Sequence, residues 1–221
     1  MNISYNKKSL STKQSKTLML NFRSLEKFFN FKLTEKITIK FIKSRKRMSK
    51  LWGDDTDVSA MVHNNDPFTI YIYHPDVFEN NTTKKMTEYL PILTHELAHT
   101  FVTKINPRCF SWMNEGICEY SVDKKMYGNN FPKKNWDWCV KNNVFTNPNI
   151  DWLQFIQHDG YEISFNLTKY IIEKLGKKTF FHLLSIYRDD SITNYNKIFS
   201  KTIEYDFSKL LEDFGKTLRL K

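Results

Sequence analysis

The sequence has few of the residues that mark fibrous, disulfide-rich or linker-rich chains. It contains three cysteines, six glycines and six prolines in 221 residues, while apolar residues make up 40% and aromatic residues 15%. This composition excludes a collagen-like, low-complexity or disordered chain, because it suffices to bury a core. Cys109, Cys118 and Cys139 lack C-x-x-C spacing, and a chain of this length needs no disulfide framework, so we expect reduced thiols.

Long hydrophobic runs are also missing from the sequence. No stretch approaches the roughly 18 apolar residues that a membrane-spanning helix requires. Residues 17–23 are too short and too interrupted to form the core of a signal peptide. We therefore expect a cytoplasmic protein with no membrane partner.

Positive charge is in excess, since 34 Lys and Arg face 24 Asp and Glu and give a net charge of +10. One compact basic run, residues 40–50, has the charge to hold phosphates. No pattern of a nucleic-acid-binding module accompanies this run, so we interpret it as a charged strand end and loop and keep nucleic acid as an alternative partner. The acidic cluster of Asp54, Asp55 and Asp57 lacks the spacing of a calcium-binding loop.

Apolar periodicity predicts an α+β fold. Helices are expected at about 17–30, 87–105, 113–123, 161–175, 178–187 and 206–218, and strands at 37–42, 57–63 and 68–73. The last two strands are expected to form an antiparallel hairpin. Residues 1–16 are expected to be a flexible N-terminus. Residues 17–125 are expected to contain the first helix, the sheet and the zinc-binding helices, and residues 126–221 a helical C-terminal lobe. Together they are expected to form one compact catalytic unit.

The segment His95-Glu96-Leu97-Ala98-His99 carries the clearest chemical pattern. Two imidazoles four residues apart on a helix share one face and can bind one Zn²⁺ ion. Glu96 can then act as the base that activates a water molecule. Chance produces this H-E-x-x-H pattern in roughly one in a hundred chains of such composition. The motif alone is therefore not sufficient evidence, and a third metal ligand is needed.

A hydrolytic zinc site needs three protein ligands and one open position. The pattern H-E-x-x-H-x-x-G-x-x-H is excluded, because Val102 and Ile105 stand where Gly and His are required. A better candidate lies on the next predicted helix, where Glu115 can complete the ligand set. Glu119, one turn later, can accept the outer N–H of a zinc-bound imidazole. Four more distant histidines stay open as ligands: His63, His74, His158 and His182.

These two segments resemble the gluzincin metallopeptidases of the peptidase MA clan. Their pattern is H-E-x-x-H followed by a glutamate on a second helix. The segment Trp112-Met113-Asn114-Glu115-Gly116-Ile117-Cys118-Glu119-Tyr120 is similar to the W-L-N-E-G-x-A-x-Y segment of aminopeptidase N-type members. Residues 158–187 are similar, more weakly, to the helix pair that follows in that family. A tyrosine that opens this pair stabilises the oxyanion there, which the resemblance places at Tyr161, with His158 as the alternative acid.

The resemblance implies a thermolysin-like zincin core. It has a small mixed sheet, an active-site helix and a helical C-terminal lobe that closes the cleft. Two departures limit the match: fifteen residues separate His99 from Glu115, where the aminopeptidase N-type pattern has about eighteen, and the amine-binding G-x-M-E-N segment is missing. A smaller gluzincin with a minimal catalytic core fits better than an aminopeptidase.

The sequence therefore predicts a zinc metallopeptidase with one zinc per chain and a peptide or protein substrate. His95, His99 and Glu115 are the expected ligands, Glu96 the base, and Tyr161 the donor to the oxyanion. Residues 68–73 are expected to be the edge strand along which a substrate lies. Two alternatives stay open, a catalytically latent zinc-binding module and a basic nucleic-acid-associated protein.

Overall fold

A computed structural model describes residues 3–53, 58–63, 65–122 and 133–218, with the side chain of His63 left out. Its contacts divide the chain into two compact units, Met1–Lys104 and Ile105–Lys221. Helices predominate and the one sheet of the described residues is small and mixed, so the α+β class is confirmed. The boundary between the units falls at the end of a helix, earlier than the boundary at residue 125 that the sequence suggested.

The first unit contains the sheet and the helix with the H-E-x-x-H segment. Its described elements are β1 (Ile3–Ser4), α1 (Thr12–Phe29), β2 (Ile37–Ile42), α2 (Arg45–Trp52), β3 (Ala60–His63), β4 (Asp66–Tyr73), α3 (Phe78–Asn81) and α4 (Met86–Ile105).

The N-terminal segment contains secondary structure within residues 3–16. Helix α1 begins at Thr12 because Ser11 and Gln14 form a capping box, in which each side chain accepts a hydrogen bond from the backbone N–H of the other residue, at 3.2 and 2.9 Å. The polar residues expected to be flexible in 1–16 thus include a short strand and the first turn of a helix. Their polarity reflects exposure of that turn.

The sheet has the strand order β1-β2-β4-β3. Strands β1, β2 and β4 are parallel, while β3 pairs with β4 in the predicted antiparallel hairpin. The prediction that Phe68–Tyr73 is an edge strand is wrong, because β4 has a neighbour on both sides. Alternating apolar residues identify a strand but not its neighbours.

Helix α4 is held against the other elements of its unit by apolar and polar contacts. The ring of Phe101 packs on Phe22 and Phe29 of α1, with centroids 5.6 and 5.1 Å away. The Tyr89 hydroxyl donates to the Tyr73 carbonyl of β4 at 2.9 Å. These contacts fix the helix in rotation, and with it the direction of its polar side chains.

The second unit consists of helices in its described residues 105–122 and 133–218. They are α5 (Ser111–Ser121), α6 (Lys133–Lys141), α7 (Trp152–Gln157), α8 (Gly160–Leu175), α9 (Lys177–Leu184), α10 (Tyr195–Ile203) and α11 (Phe207–Leu218). Nowhere in the described parts of the chain is a helix both long and apolar enough to cross a membrane.

Helix α5 packs closely on α8 at Gly116. A Cβ atom added there would lie 2.2 Å from the Thr168 Oγ1 atom and 2.4 Å from the Ser164 carbonyl oxygen. Trp112, on the same helix, donates from its indole N–H to the Phe145 carbonyl at 3.0 Å. Helix α5 is therefore anchored by a close contact and by a buried tryptophan.

Candidate metal centre

His95 and His99 lie one turn apart on α4, as their spacing predicts. Their Nε2 atoms are 2.9 Å apart, and the two rings are nearly perpendicular, at 84°. His95 is buried and His99 is half-buried. Two imidazole nitrogens this close either share a proton or bind one cation, because two lone pairs facing each other repel.

The fixed orientation of α4 follows from its apolar residues. Leu93, Leu97 and Phe101 are fully buried and lie on one face of the helix. The two histidines lie on a different face. Glu96, between those histidines in sequence, is also buried, with only 8% of its surface exposed. A glutamate is rarely buried to this degree unless it is paired.

Glu115 is a half-buried residue in the middle of α5. One ligand atom from each of His95, His99 and Glu115 lies within 4.8 Å of the others. These are the three residues that the sequence selects as metal ligands, and the group is compatible with a metal site. Within the residues that the structure describes, no other group of three His, Cys, Asp or Glu side chains meets this condition.

The chemistry of this group fits a zinc ion. Two imidazole nitrogens and one carboxylate oxygen form a ligand set found in catalytic zinc sites. Two nitrogen ligands of a tetrahedral zinc ion are roughly 3.3 Å apart, given zinc–nitrogen distances near 2.0 Å. The observed separation of 2.9 Å between the histidine Nε2 atoms is within a small side-chain adjustment of that value.

Glu119 lies one turn after Glu115 on α5. It is buried, with 3% of its surface exposed. The i, i+4 spacing places both carboxyl groups on the same side of the helix. Hydrogen bonding of Glu119 to a zinc-bound imidazole stays a prediction.

Tyr161 is the second residue of α8 and is half-buried. Its ring packs edge-to-face on Trp152 with 5.4 Å between centroids. That contact restrains the ring, while a role of its hydroxyl toward an oxyanion stays a prediction.

The alternative acid, His158, ends α7 and is held by two contacts of its own. Its imidazole stacks on Trp138 with centroids 3.8 Å apart and planes at 9°, and its Nδ1 atom lies 2.8 Å from the Gln154 carbonyl oxygen. The contact with Gln154 stabilises the end of α7, and the stacking ties the imidazole to α6. Its role as an acid stays a prediction.

The other distant histidines have different surroundings. His74 Nδ1 accepts a hydrogen bond from the Asp76 backbone N–H at 3.3 Å, and His182 is exposed on α9. The His63 side chain and the acidic cluster of Asp54, Asp55 and Asp57 lie outside the described residues.

The three cysteines are free thiols. Burial, together with the nearby Glu115 carboxylate, raises the pKa of Cys109 to about 12. Burial and the Asp159 carboxylate raise the pKa of Cys139 to about 12 as well. Thiols with such pKa values are protonated near neutral pH, so neither has the thiolate that a nucleophile requires.

Gly116 has a packing role that the sequence analysis does not assign to it. It stands between the two glutamates of α5 and permits the close approach to α8 described above. The signal available in the sequence is the position of a glycine inside a predicted helix, where it normally costs stability.

Comparison with known proteins adds no assignment. A scan against protein-family models matches none of them, and a search of curated proteins returns no match. Function is therefore inferred from the side chains of the site.

Proposed function

We propose that this chain is a zinc-dependent metallopeptidase of the gluzincin type. The observation that carries the proposal is the group formed by His95, His99 and Glu115, whose ligand atoms lie within 4.8 Å of one another. The spacing of these residues supports it further, since H-E-x-x-H with a glutamate on the following helix is the gluzincin pattern.

In this proposal His95, His99 and Glu115 hold the metal. When bound, zinc acts as a Lewis acid toward the scissile carbonyl and lowers the pKa of a coordinated water molecule toward 7. Two neutral imidazoles and one carboxylate leave a net positive charge at the site, which suits this chemistry. Ligation requires neutral imidazoles whose Nε2 atoms carry no proton, so metal binding should weaken as the pH falls.

Glu96 is the proposed general base. It takes a proton from the attacking water and delivers it to the nitrogen of the scissile bond. The leaving group is then a neutral amine and not an unstable amide anion. Its place in the H-E-x-x-H pattern, directly after His95, supports this role of Glu96.

Tyr161 and Glu119 complete the proposed machinery. The Tyr161 hydroxyl donates a hydrogen bond to the oxygen of the tetrahedral intermediate, a contact that is strongest in the transition state. Glu119 orients a ligand imidazole by accepting its outer N–H, which fixes the tautomer.

A latent zinc-binding module is the alternative. It needs the three ligands but has no use for a base at position 96. The presence of Glu96 beside His95 therefore favours catalysis.

The proposal is tested by the product profile of a mixed peptide library incubated with the zinc-loaded protein. We expect cleavage that stops on chelation and returns with zinc, and that is lost in Glu115→Ala. Cleavage that persists unchanged after metal removal contradicts the proposal. The profile also reports whether cleavage is internal or terminal and which side chains flank the bond.

A further inference from the structure

Six exposed cations, called the basic surface, lie on β2, in the link that follows it and along α2. They are Lys40, Lys43, Arg45, Lys46, Arg47 and Lys50. The run from residue 40 to residue 50 contains no acidic residue. Three aspartates follow it in sequence, at 54, 55 and 57, outside the described residues.

The sequence analysis interprets this run as a strand end and a loop, but the structure shows a helix. Helix α2 starts after Ser44, whose side chain accepts a hydrogen bond from the Arg47 N–H at 3.4 Å, and is fixed to its unit by the buried side chain of Met48. The helix holds the cations in a regular array, which a loop does not.

The charge pattern of this helix is mixed. Its first turn carries three cations and no acidic residue, the reverse of what the helix dipole favours, whereas Lys50 in the last turn stands where the dipole favours a cation. Lys46 and Lys50 are four residues apart, a spacing at which like charges repel. The helix dipole therefore does not explain the three cations of the first turn.

Aromatic groups accompany the cations. The Lys40 ammonium lies 5.1 Å from the centre of the Tyr71 ring on the neighbouring strand, and 3.3 Å from its hydroxyl oxygen. Trp52, at the end of α2, is exposed over 36% of its surface. Cations that follow a backbone, together with aromatic rings on which bases stack, are how proteins bind single-stranded nucleic acid.

We propose that this basic surface binds single-stranded nucleic acid, independently of the metal centre. The phosphates contact the cations of the surface, and Trp52 stacks on a base. A membrane is the less suitable partner, because a helix that lies in a bilayer surface needs an apolar face directed outward. The apolar residue Met48 faces inward instead, and Trp52 is the one exposed large hydrophobic residue of α2, all of whose residues are described.

The test compares two double variants that lose the same charge. Lys46→Gln/Lys50→Gln removes two cations of the basic surface, and Lys197→Gln/Lys201→Gln removes two exposed lysines with the same spacing on α10. Binding of a fluorescent oligouridylate is followed by anisotropy in the full chain over a range of salt concentrations.

We expect wild type and the α10 variant to bind equally and the α2 variant to bind more weakly. The slope of log K against log salt should be smaller by about 1.4 in the α2 variant, if each lysine contacts one phosphate of a single strand. Trp52→Ala should weaken binding without changing that slope. Far-UV circular dichroism checks that each variant is folded.

Equal loss in the two lysine variants overturns the proposal, because it shows a response to net charge alone. No binding by wild type at low salt also overturns it. Co-sedimentation with phosphatidylserine vesicles that depends on Lys46 and Lys50, without such dependence for the oligouridylate, assigns the surface to a membrane instead. A duplex bound as tightly as the single strand, with no effect of Trp52→Ala, overturns the assignment to single strands.

Discussion

The Nε2 atoms of His95 and His99 face each other at 2.9 Å on one side of α4. A metal ion held as proposed would bind the folded chain in preference to the unfolded one, because the unfolded chain does not hold the nitrogens together. Folding stability and metal binding would then be linked.

The first prediction follows from that linkage. Zinc should raise the free energy of unfolding by about 2.7 kcal/mol when free zinc exceeds its dissociation constant a hundredfold. His99→Ala should abolish most of this shift, measured by thermal unfolding with and without zinc. His182→Ala, which removes an exposed histidine of α9, is the control and should keep it.

Gly116→Ala should destabilise the second unit and weaken zinc binding. The added methyl group overlaps the Thr168 hydroxyl and the Ser164 carbonyl, and such overpacking costs about 1–3 kcal/mol. Helix α5, which carries Glu115, must move to relieve it. Chemical denaturation and zinc titration measure the two effects.

A second substitution distinguishes overlap from a general helix effect. Thr168→Ala in the Gly116→Ala background should recover part of the stability, since it removes one of the two overlapping groups. An alanine at position 116 that leaves both stability and zinc affinity unchanged would show that the close approach of α5 and α8 is not required.

Asp213 should make stability depend on pH in the acid range. Its carboxylate accepts hydrogen bonds from the Lys174 ammonium and the Tyr205 hydroxyl, both at 3.0 Å, and the lysine holds the pKa of Asp213 below its usual value. The stabilisation is complete above the unfolded-state pKa of about 3.9 and is lost as the pH falls through the lower folded-state pKa.

The measurement is the difference in unfolding free energy between wild type and Asp213→Asn as a function of pH. We expect a constant difference above about pH 5 that shrinks at lower pH. Tyr205→Phe removes one of the two hydrogen bonds and should leave a smaller acid dependence. A difference that grows as the pH falls has the wrong sign for a carboxyl group with a lowered pKa.

Tyr161→Phe should lower kcat about 10²- to 10³-fold and change KM little, if its hydroxyl stabilises the oxyanion. The phenyl ring retains the packing on Trp152, so the fold should be intact. Steady-state kinetics on a peptide found in the library screen provide the measurement. Unchanged turnover would show that Tyr161 has only a structural role. His158→Ala would then test the alternative acid.

The helices of the site were largely predictable from the sequence. The apolar stripe through Leu93, Leu97 and Phe101 predicts α4, and its observed start at Met86 is one residue from the expected one. The grouping of Glu115 with the two histidines was predicted from the H-E-x-x-H motif together with its resemblance to the gluzincin pattern. Local patterns suffice where a residue's role is set by its own helix.

Other features depend on tertiary contacts that local patterns do not contain. Helix α2 has one buried apolar residue, Met48, so its sequence resembles a loop, and the interior position of β4 is decided by pairing with β2. Helix α10 was not predicted, although Asn194 caps its first turn. The roles of Glu119 and Tyr161 depend on atoms of a bound metal and substrate, and they stay predictions.

Hydrolysis of a peptide by zinc-loaded Glu96→Gln is the most direct test of the proposed catalytic site. The substitution keeps the size of the side chain and removes its basicity, while His95, His99 and Glu115 are left to hold the metal. Glu88→Gln, on the same helix, is the matched control. We predict full zinc content in both variants, with hydrolysis lost in Glu96→Gln and retained in Glu88→Gln. Wild-type hydrolysis by zinc-loaded Glu96→Gln would contradict the account.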